Sequence, residues 1–333
     1  MAELVFVGCY TGEAGNGTGI TTFTRSPSGE LREIGSLSLE SPSWLTRHPS
    51  LPVLYAANET SSGAVTALSM SSSGDLSILG TAETGGAHPC HLAVTPDGRF
   101  LLCANYTGGS LAVFALSPSG EVGSRTALVQ HTGSGPRADR QEAAHVHMAV
   151  PGQGMVSAVD LGTDEIRSYT LTSSGALEPL AVSALPPGTG PRQLVRRPGT
   201  DLAYVVGELA GTLLTVRETS PGAFSVVSST ASTFTEPSVP NLVAHLELSD
   251  SRLYVSNRGP DCVTEFALDE TAAVADQPCG ANPRHFALVD GTCYVAAQSE
   301  DAITAFTLTA SGEAELRYHP TGSPTFVLPV SLP

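Results

Sequence analysis

His145 and His147, two positions apart in Ala144-His145-Val146-His147, are a pairing whose type and spacing could do chemistry. An imidazole, with a reference pKa of about 6.5, is a natural general base near neutral pH. On a strand, residues two apart point to one side, which would also suit two ligands of a metal ion. No third ligand follows at matching spacing and nearby arginines would repel a cation, so the expectation is a metal-independent site with no cofactor. Covalent acyl chemistry is disfavoured, because there is no G-x-S-x-G elbow and Cys90 has no activating neighbours in sequence. All sixteen basic residues are Arg and none is Lys. That removes Schiff-base chemistry and a P-loop lysine, and leaves guanidinium forks to hold any carboxylate or phosphate.

Side chains so scattered need a repeat to bring them together. Residues 88–130 read as four short strands in a row, joined by turns such as Pro96-Asp97-Gly98 and Ser117-Pro118-Ser119-Gly120. The apolar second strand recurs at residues 5–9, 54–58, 101–105, 156–160, 203–207, 253–257 and 293–297. The third recurs as often, and the turn after it repeats at 26–29, 71–74, 117–120, 172–175 and 309–312. A first strand opens six of the units, at Trp44, His91, His145-Val146-His147, Arg192, Asn241 and Arg284. The missing seventh is Ser323-Pro324-Thr325-Phe326, close to the C-terminus. A spacing of roughly 40 to 55 residues is that of propeller blades. The expectation is therefore all-β: a seven-bladed β-propeller with four antiparallel strands per blade, residues 1–333 as one domain, and one blade closed by the C-terminal strand lying beside residues 3–9.

In such a blade the start of the innermost strand and the end of the second lie on one face of the ring. The starts supply Trp44, His91, His145, His147, Arg192, Asn241, Arg284 and His285; the ends supply Tyr10, Glu59, Tyr106, Asp160, Glu208, Arg258 and Gln298. Most are ionisable, aromatic or amide groups, which fits an anion-binding funnel. Residues 131–144 exceed the period by roughly eight and carry Arg137, Arg140 and Gln141, where a propeller could add a lid or an anion clamp. Asp160 and Thr163 read as turn and blade-to-blade hydrogen bonds, and the six cysteines as buried free thiols.

The net charge of −16 excludes nucleic acid and anionic membrane surfaces as partners. No apolar run approaches the roughly 20 residues of a membrane span. The opening Met1-Ala2-Glu3-Leu4-Val5-Phe6-Val7 reads as a strand and not a signal peptide, so the expected location is cytoplasmic. The expected state is a monomer or weak homo-oligomer with a small anionic substrate as its partner.

The combination Gly135-Pro136, Arg140-Gln141, His145-Val146-His147, Asp160-Leu161-Gly162-Thr163-Asp164, Gly190-Pro191-Arg192, Glu208, Asn257-Arg258 and Pro283-Arg284-His285 resembles the seven-bladed propeller lactonases. That family includes bacterial 6-phosphogluconolactonases and fungal carboxymuconate cyclases. The resemblance spans essentially the whole chain. It implies a metal-independent site around a His, two Arg and a Glu, falling on His147 (or His145), Arg192, Glu208 and Arg258. One departure is Gly207, where the family usually has Asn, and this puts the orientation of Glu208 in question. The implied function is hydrolysis of an anionic sugar lactone, 6-phosphogluconolactone foremost. His147 or His145 would take a proton from water, and Arg192 or Arg258 would hold the oxyanion or phosphate. Arg284, Arg140, Gln141, Tyr10, Tyr106, Glu59 and Gln298 would contact the substrate. A muconate-type lactonising enzyme, which would add a carboxylate across a double bond to form a carboxylated lactone, or a non-catalytic propeller binding a metabolite or protein, are the alternatives.

Overall fold

The computed structural model describes residues 3–249, 251–308 and 314–331, so the expected turn at 309–312 lies outside the described residues. The chain forms seven four-stranded antiparallel sheets, the expected seven-bladed β-propeller. The C-terminal strand β28 (Pro324–Ser331) is the inner strand of the first blade. It pairs with β1 (Glu3–Cys9) in a register that sets Glu3 opposite Ser331 and Val7 opposite Val327. No helix of the described residues is long and apolar enough to cross a membrane.

The second strands read as unbroken apolar runs because both faces of each are covered by neighbouring blades. Along β1, Leu4 and Phe6 pack with Leu45 and Leu54 of the next blade. Val5 and Val7 turn the other way, to Tyr294 and Ile303 of the last blade. Each such side chain, fully removed from water, contributes roughly 1.5–3 kcal/mol. The same alternation at Val53, Tyr55 and Ala57 against Leu54 and Ala56 continues the ring. Four of the recurring turns end on Gly29, Gly74, Gly120 and Gly175, with φ of 84°, 90°, 87° and 83°. This left-handed backbone is cheap only for glycine.

The inner strands are β4 (Pro42–Arg47), β8 (Pro89–Val94), β12 (Val146–Pro151), β16 (Pro191–Arg196), β20 (Leu242–Leu248), β24 (Pro283–Val289) and β28. All seven slip register just after they begin. The bulged residue is Ser43, Cys90, His147, Arg192, Arg284 or Thr325 in six of them; in β20 the slip falls across Ala244 and His245. A bulge leaves two successive residues on the strand opposite one on its partner. Each inner strand thereby sends two neighbouring side chains toward the axis, making two tiers.

The lower tier closes the hub. Trp44 contacts His91, His285 and Phe326 with ring centroids 4.3, 5.5 and 4.4 Å away, and His245 lies 3.8 Å from His285. Burial pulls the His91 and His245 imidazoles down to about 3, so this plug is uncharged at neutral pH.

Candidate active site

The upper tier and the ends of the second strands enclose a cavity of about 270 Å³. That is near the small end of ligand pockets, with room for one small molecule. Its walls include Tyr10, Glu59, Cys90, Tyr106, Arg140, His147, Arg192, Glu208, Arg258 and Arg284.

A repeated backbone device aims the wall. The residue before an inner strand adopts positive φ at Ser41, His88, Gly190, Asn282 and Ser323. Its carbonyl then accepts the N–H of the residue leaving the second strand: Glu59 to Ser41, Tyr106 to His88, Glu208 to Gly190 and Tyr10 to Ser323, at 2.8–3.1 Å. Just behind these exits, buried amides lock the strand ends. Asn58 donates to Glu40 O (2.7 Å) and accepts from Thr66 (2.7 Å), while Asn257 donates to Thr264 Oγ1 (2.9 Å). Asn cannot play this part at Gly207, where Thr189 and Thr212 fill the space a Cβ would need.

Glu208 needs no such amide, since three guanidiniums fix it. Arg140 Nη2 lies 2.7 Å from Oε1, and Arg192 Nη1 and Arg258 Nη2 lie 2.7 and 3.1 Å from Oε2. Burial alone would raise this carboxyl, but Arg258, Arg192 and Arg140 outweigh it and hold the group well below the usual carboxylate range. Burial pulls the Arg258 guanidinium down to about 9 against the opposing pull of Glu208, which still leaves it charged at neutral pH. Its Nη2 is sealed from solvent without a well-formed hydrogen bond.

His147 is bound into the same cluster. Its Nε2 lies 2.6 Å from Arg192 Nη1, and since the guanidinium can only donate, the imidazole must accept there. The other nitrogen, Nδ1, is buried with no partner among the described residues. Burial, reinforced by Arg192, holds His147 well below its ordinary value. The imidazole is therefore neutral, with its one lone pair already occupied by Arg192.

Across the cavity, Arg284 Nη2 donates to Tyr10 Oη (2.8 Å), with its guanidinium carbon 4.9 Å from that ring's centroid. Tyr10 in turn donates to Glu59 Oε1 (2.9 Å). Burial pushes the Tyr10 phenol up, so it stays protonated. Four guanidiniums against two carboxylates give the cavity a formal charge of +2, in a chain whose total is −16.

Several expected contacts lie elsewhere. The bulge at His147 breaks the two-residue alternation, so His145 is not its companion. His145 stacks on Tyr106 at 4.7 Å, with its ring nitrogens 3.1 Å from Tyr106 O and Glu142 Oε1. It braces a wall residue from behind. Gln141 is fully buried, donating to Leu161 O (2.9 Å) and accepting from Arg137 N (3.2 Å). It fastens the long loop so that Arg140 reaches Glu208 and Tyr106 Oη (3.2 Å). Gln298 accepts from Asn282 (3.1 Å) at the rim. Asp160 stays within the wall: Oδ1 accepts the N–H groups of His145, Gly162 and Thr163, and Oδ2 meets His131, which meets Tyr169. The residue that leaves the strand there is Leu161. Asn241 bonds to Ser232 and Asn257, and Ala244 takes its expected place in the hub.

Cys90 is a cavity residue that sequence reasoning passed over as chemistry, and burial pushes its thiol well up, leaving it inert. All six cysteines are free and buried. His245 went unnoticed because the start of β20 is offset from the pattern. Among the described residues no three His, Cys, Asp or Glu side chains converge as a metal site would require.

A family profile described as Lactonase, 7-bladed beta-propeller, matches residues 4–329. The chain is similar to the 6-phosphogluconolactonase of Bacillus subtilis strain 168, with 31% identity over 276 residues, 80% of this chain and 77% of that one. It is also similar to a 6-phosphogluconolactonase of Formosa agariphila, 27% identical over 303 residues that cover 85% and 86% of the two chains. Among solved structures, the periplasmic gluconolactonase of Pseudomonas aeruginosa superposes with a TM-score of 0.91 at 26% identity, over 100% of both chains. The chain belongs to the seven-bladed β-propeller lactonase family.

Proposed function

We propose that this protein hydrolyses a phosphorylated sugar lactone, 6-phosphogluconolactone before others, in the funnel cavity and without a metal. The observation that carries the reading is the +2 charge of the cavity in a chain of −16. A phosphate monoester, at about −1.5 to −2 near pH 7, matches it. Glu208 is shared by three guanidiniums and Arg284 has no ion pair among the described residues. In a purely structural hub each buried cation would be expected to have its own carboxylate. Names carried by relatives in Bacillus and Formosa support the same substrate. The inert, buried thiols support a cytoplasmic location.

Arg192 and Arg258 fit the phosphate, since among the described residues Nη2 of Arg192 and Nη1 of Arg258 are not committed to Glu208, His147 or a backbone carbonyl and can each give a charge-assisted hydrogen bond to it. Arg140, arching in from the loop, closes over that end. The test is turnover of 6-phosphogluconolactone, gluconolactone and carboxymuconate by the purified chain, side by side. The expected order is 6-phosphogluconolactone first. Preferential turnover of carboxymuconate would replace hydrolysis with lactone formation, and activity on none of the three would leave a binding protein.

A further inference from the structure

We infer that Glu59 is the proton acceptor for the water that opens the lactone, with Tyr10 holding it in place and Arg284 binding the carbonyl oxygen; this rests on the lactonase reading above. The other proton acceptors in the cavity wall, His147 and Glu208, are already committed, and His145 lies outside that wall. The lone pair of His147 is directed at Arg192, 2.6 Å away, and the two oxygens of Glu208 hold three guanidiniums. A base so engaged must break its own ion pairs before it can accept a proton.

Glu59 is differently placed. Its Oε1 accepts one hydrogen bond, from Tyr10 at 2.9 Å. Among the described residues no guanidinium forms an ion pair with it, its Oε2 has no hydrogen-bond partner, and that oxygen is not sealed from the cavity. Arg284 gives one N–H to Tyr10, and its others are likewise unsealed. The cavity therefore has two poles. The Glu208 pole carries three cations and one anion, and suits a dianion. The Glu59 pole carries one of each, and suits a neutral carbonyl with a water beside it.

The step balances. Water oxygen bonds to the lactone carbonyl carbon as its proton passes to the Glu59 carboxylate, and the oxyanion that forms lies on Arg284. Collapse breaks the bond from that carbon to the ring oxygen, which takes the proton back from Glu59 and leaves as a hydroxyl. The product is the open acid, which then ionises. Tyr10 positions both groups and gains no proton.

Kinetics of Glu59→Gln, Glu59→Ala and Tyr10→Phe on 6-phosphogluconolactone test this. Loss of a general base predicts a fall in kcat of about 100-fold or more for Glu59→Gln, with KM changed by less than about threefold. Added formate should restore part of the turnover of Glu59→Ala, and Tyr10→Phe should lose roughly tenfold. A kcat for Glu59→Gln close to that of the unmodified chain would overturn the role. No turnover by the unmodified chain would remove the 6-phosphogluconolactone reading on which this role rests, whereas turnover that survives in Glu59→Gln removes this role alone. Should the variants fail to fold, a structure of the unmodified chain with 6-phosphogluconate decides. Its carboxylate beside Arg284 and phosphate on Arg192 and Arg258 support the assignment, and the reverse pose sinks it.

Discussion

Replacing Glu208 by Gln removes a single charge from the point where Arg140, Arg192 and Arg258 converge. The carboxylate is 2% exposed, so solvent cannot substitute for it. Breaking one partner out of a buried ion-pair cluster costs about 3–5 kcal/mol. With an unfolding entropy of about 2.1 cal/mol/K per residue, the 333 residues of the chain give about 0.7 kcal/mol/K, so Tm should fall by about 4–7 °C. Phosphate ought to recover part of that loss. The local charge rises from +2 to +3 in the variant, and a ligand at about 100 times its Kd stabilises by about 2.7 kcal/mol, or about 4 °C here. Calorimetry of both proteins with and without phosphate at constant ionic strength would measure each quantity. A variant that melts within about 1 °C of the parent, or phosphate stabilising the parent as much as the variant, would refute the idea that Glu208 is the counter-charge of an anion site.

Two further expectations concern pH. The hub imidazoles His91 and His245, held down at about 3 by burial, are neutral in the fold yet take protons near 6.5 when unfolded. Their contribution is fully present above about 6.5 and is lost as pH falls toward 3, by about 1.4 kcal/mol per unit for each group. A urea titration of His91→Gln should show a shallower acid decline than the parent; parallel declines would argue against the buried plug. Glu247 runs the opposite way. Burial raises its carboxyl to about 7, and among the described residues its one hydrogen bond is from Leu288 N–H at 3.4 Å. Its contribution is present below the unfolded value and is lost as pH rises through 7. Glu247→Gln should therefore gain stability relative to the parent at pH 8 but not at pH 5, and an equal offset at both would contradict it.

The propeller was legible because each second strand is covered on both sides, so Val5 and Val7 had to be as apolar as Leu4 and Phe6. The exits Tyr10, Glu59, Tyr106, Glu208 and Arg258 were legible for a related reason, being the first polar or aromatic positions after those runs. Asp160 broke that rule, since a carboxylate receiving three backbone N–H groups serves the wall better than the cavity. What could not be read was the bulge. Alternation predicts that His145 and His147 share a side, yet a bulge has no residue signature of its own, and one inserted residue moves every side chain before it to the other face. The role of Gln141 is invisible for another reason: its partners Leu161 and Arg137 are chosen by tertiary packing of the loop.

The bulges also explain why the site can be so highly charged. Because each inner strand gives two side chains to the axis, one tier can be polar while the next, with Trp44, His285 and Phe326 in contact, shuts out water from the far side. Charges in so closed a space must survive desolvation, and here the absence of lysine has a physical consequence. A buried ammonium readily loses its proton, whereas a guanidinium starts about two units or more higher. Arg258 illustrates the margin, brought down to about 9 and still a cation at neutral pH. An ammonium lowered by a similar amount, from about 10.4, would be only about half charged there, and the cavity would forfeit much of the charge that distinguishes it from the rest of an acidic surface. Four of the sixteen arginines are gathered at this one mouth, where only a side chain that stays charged when buried can keep an anionic ligand in place.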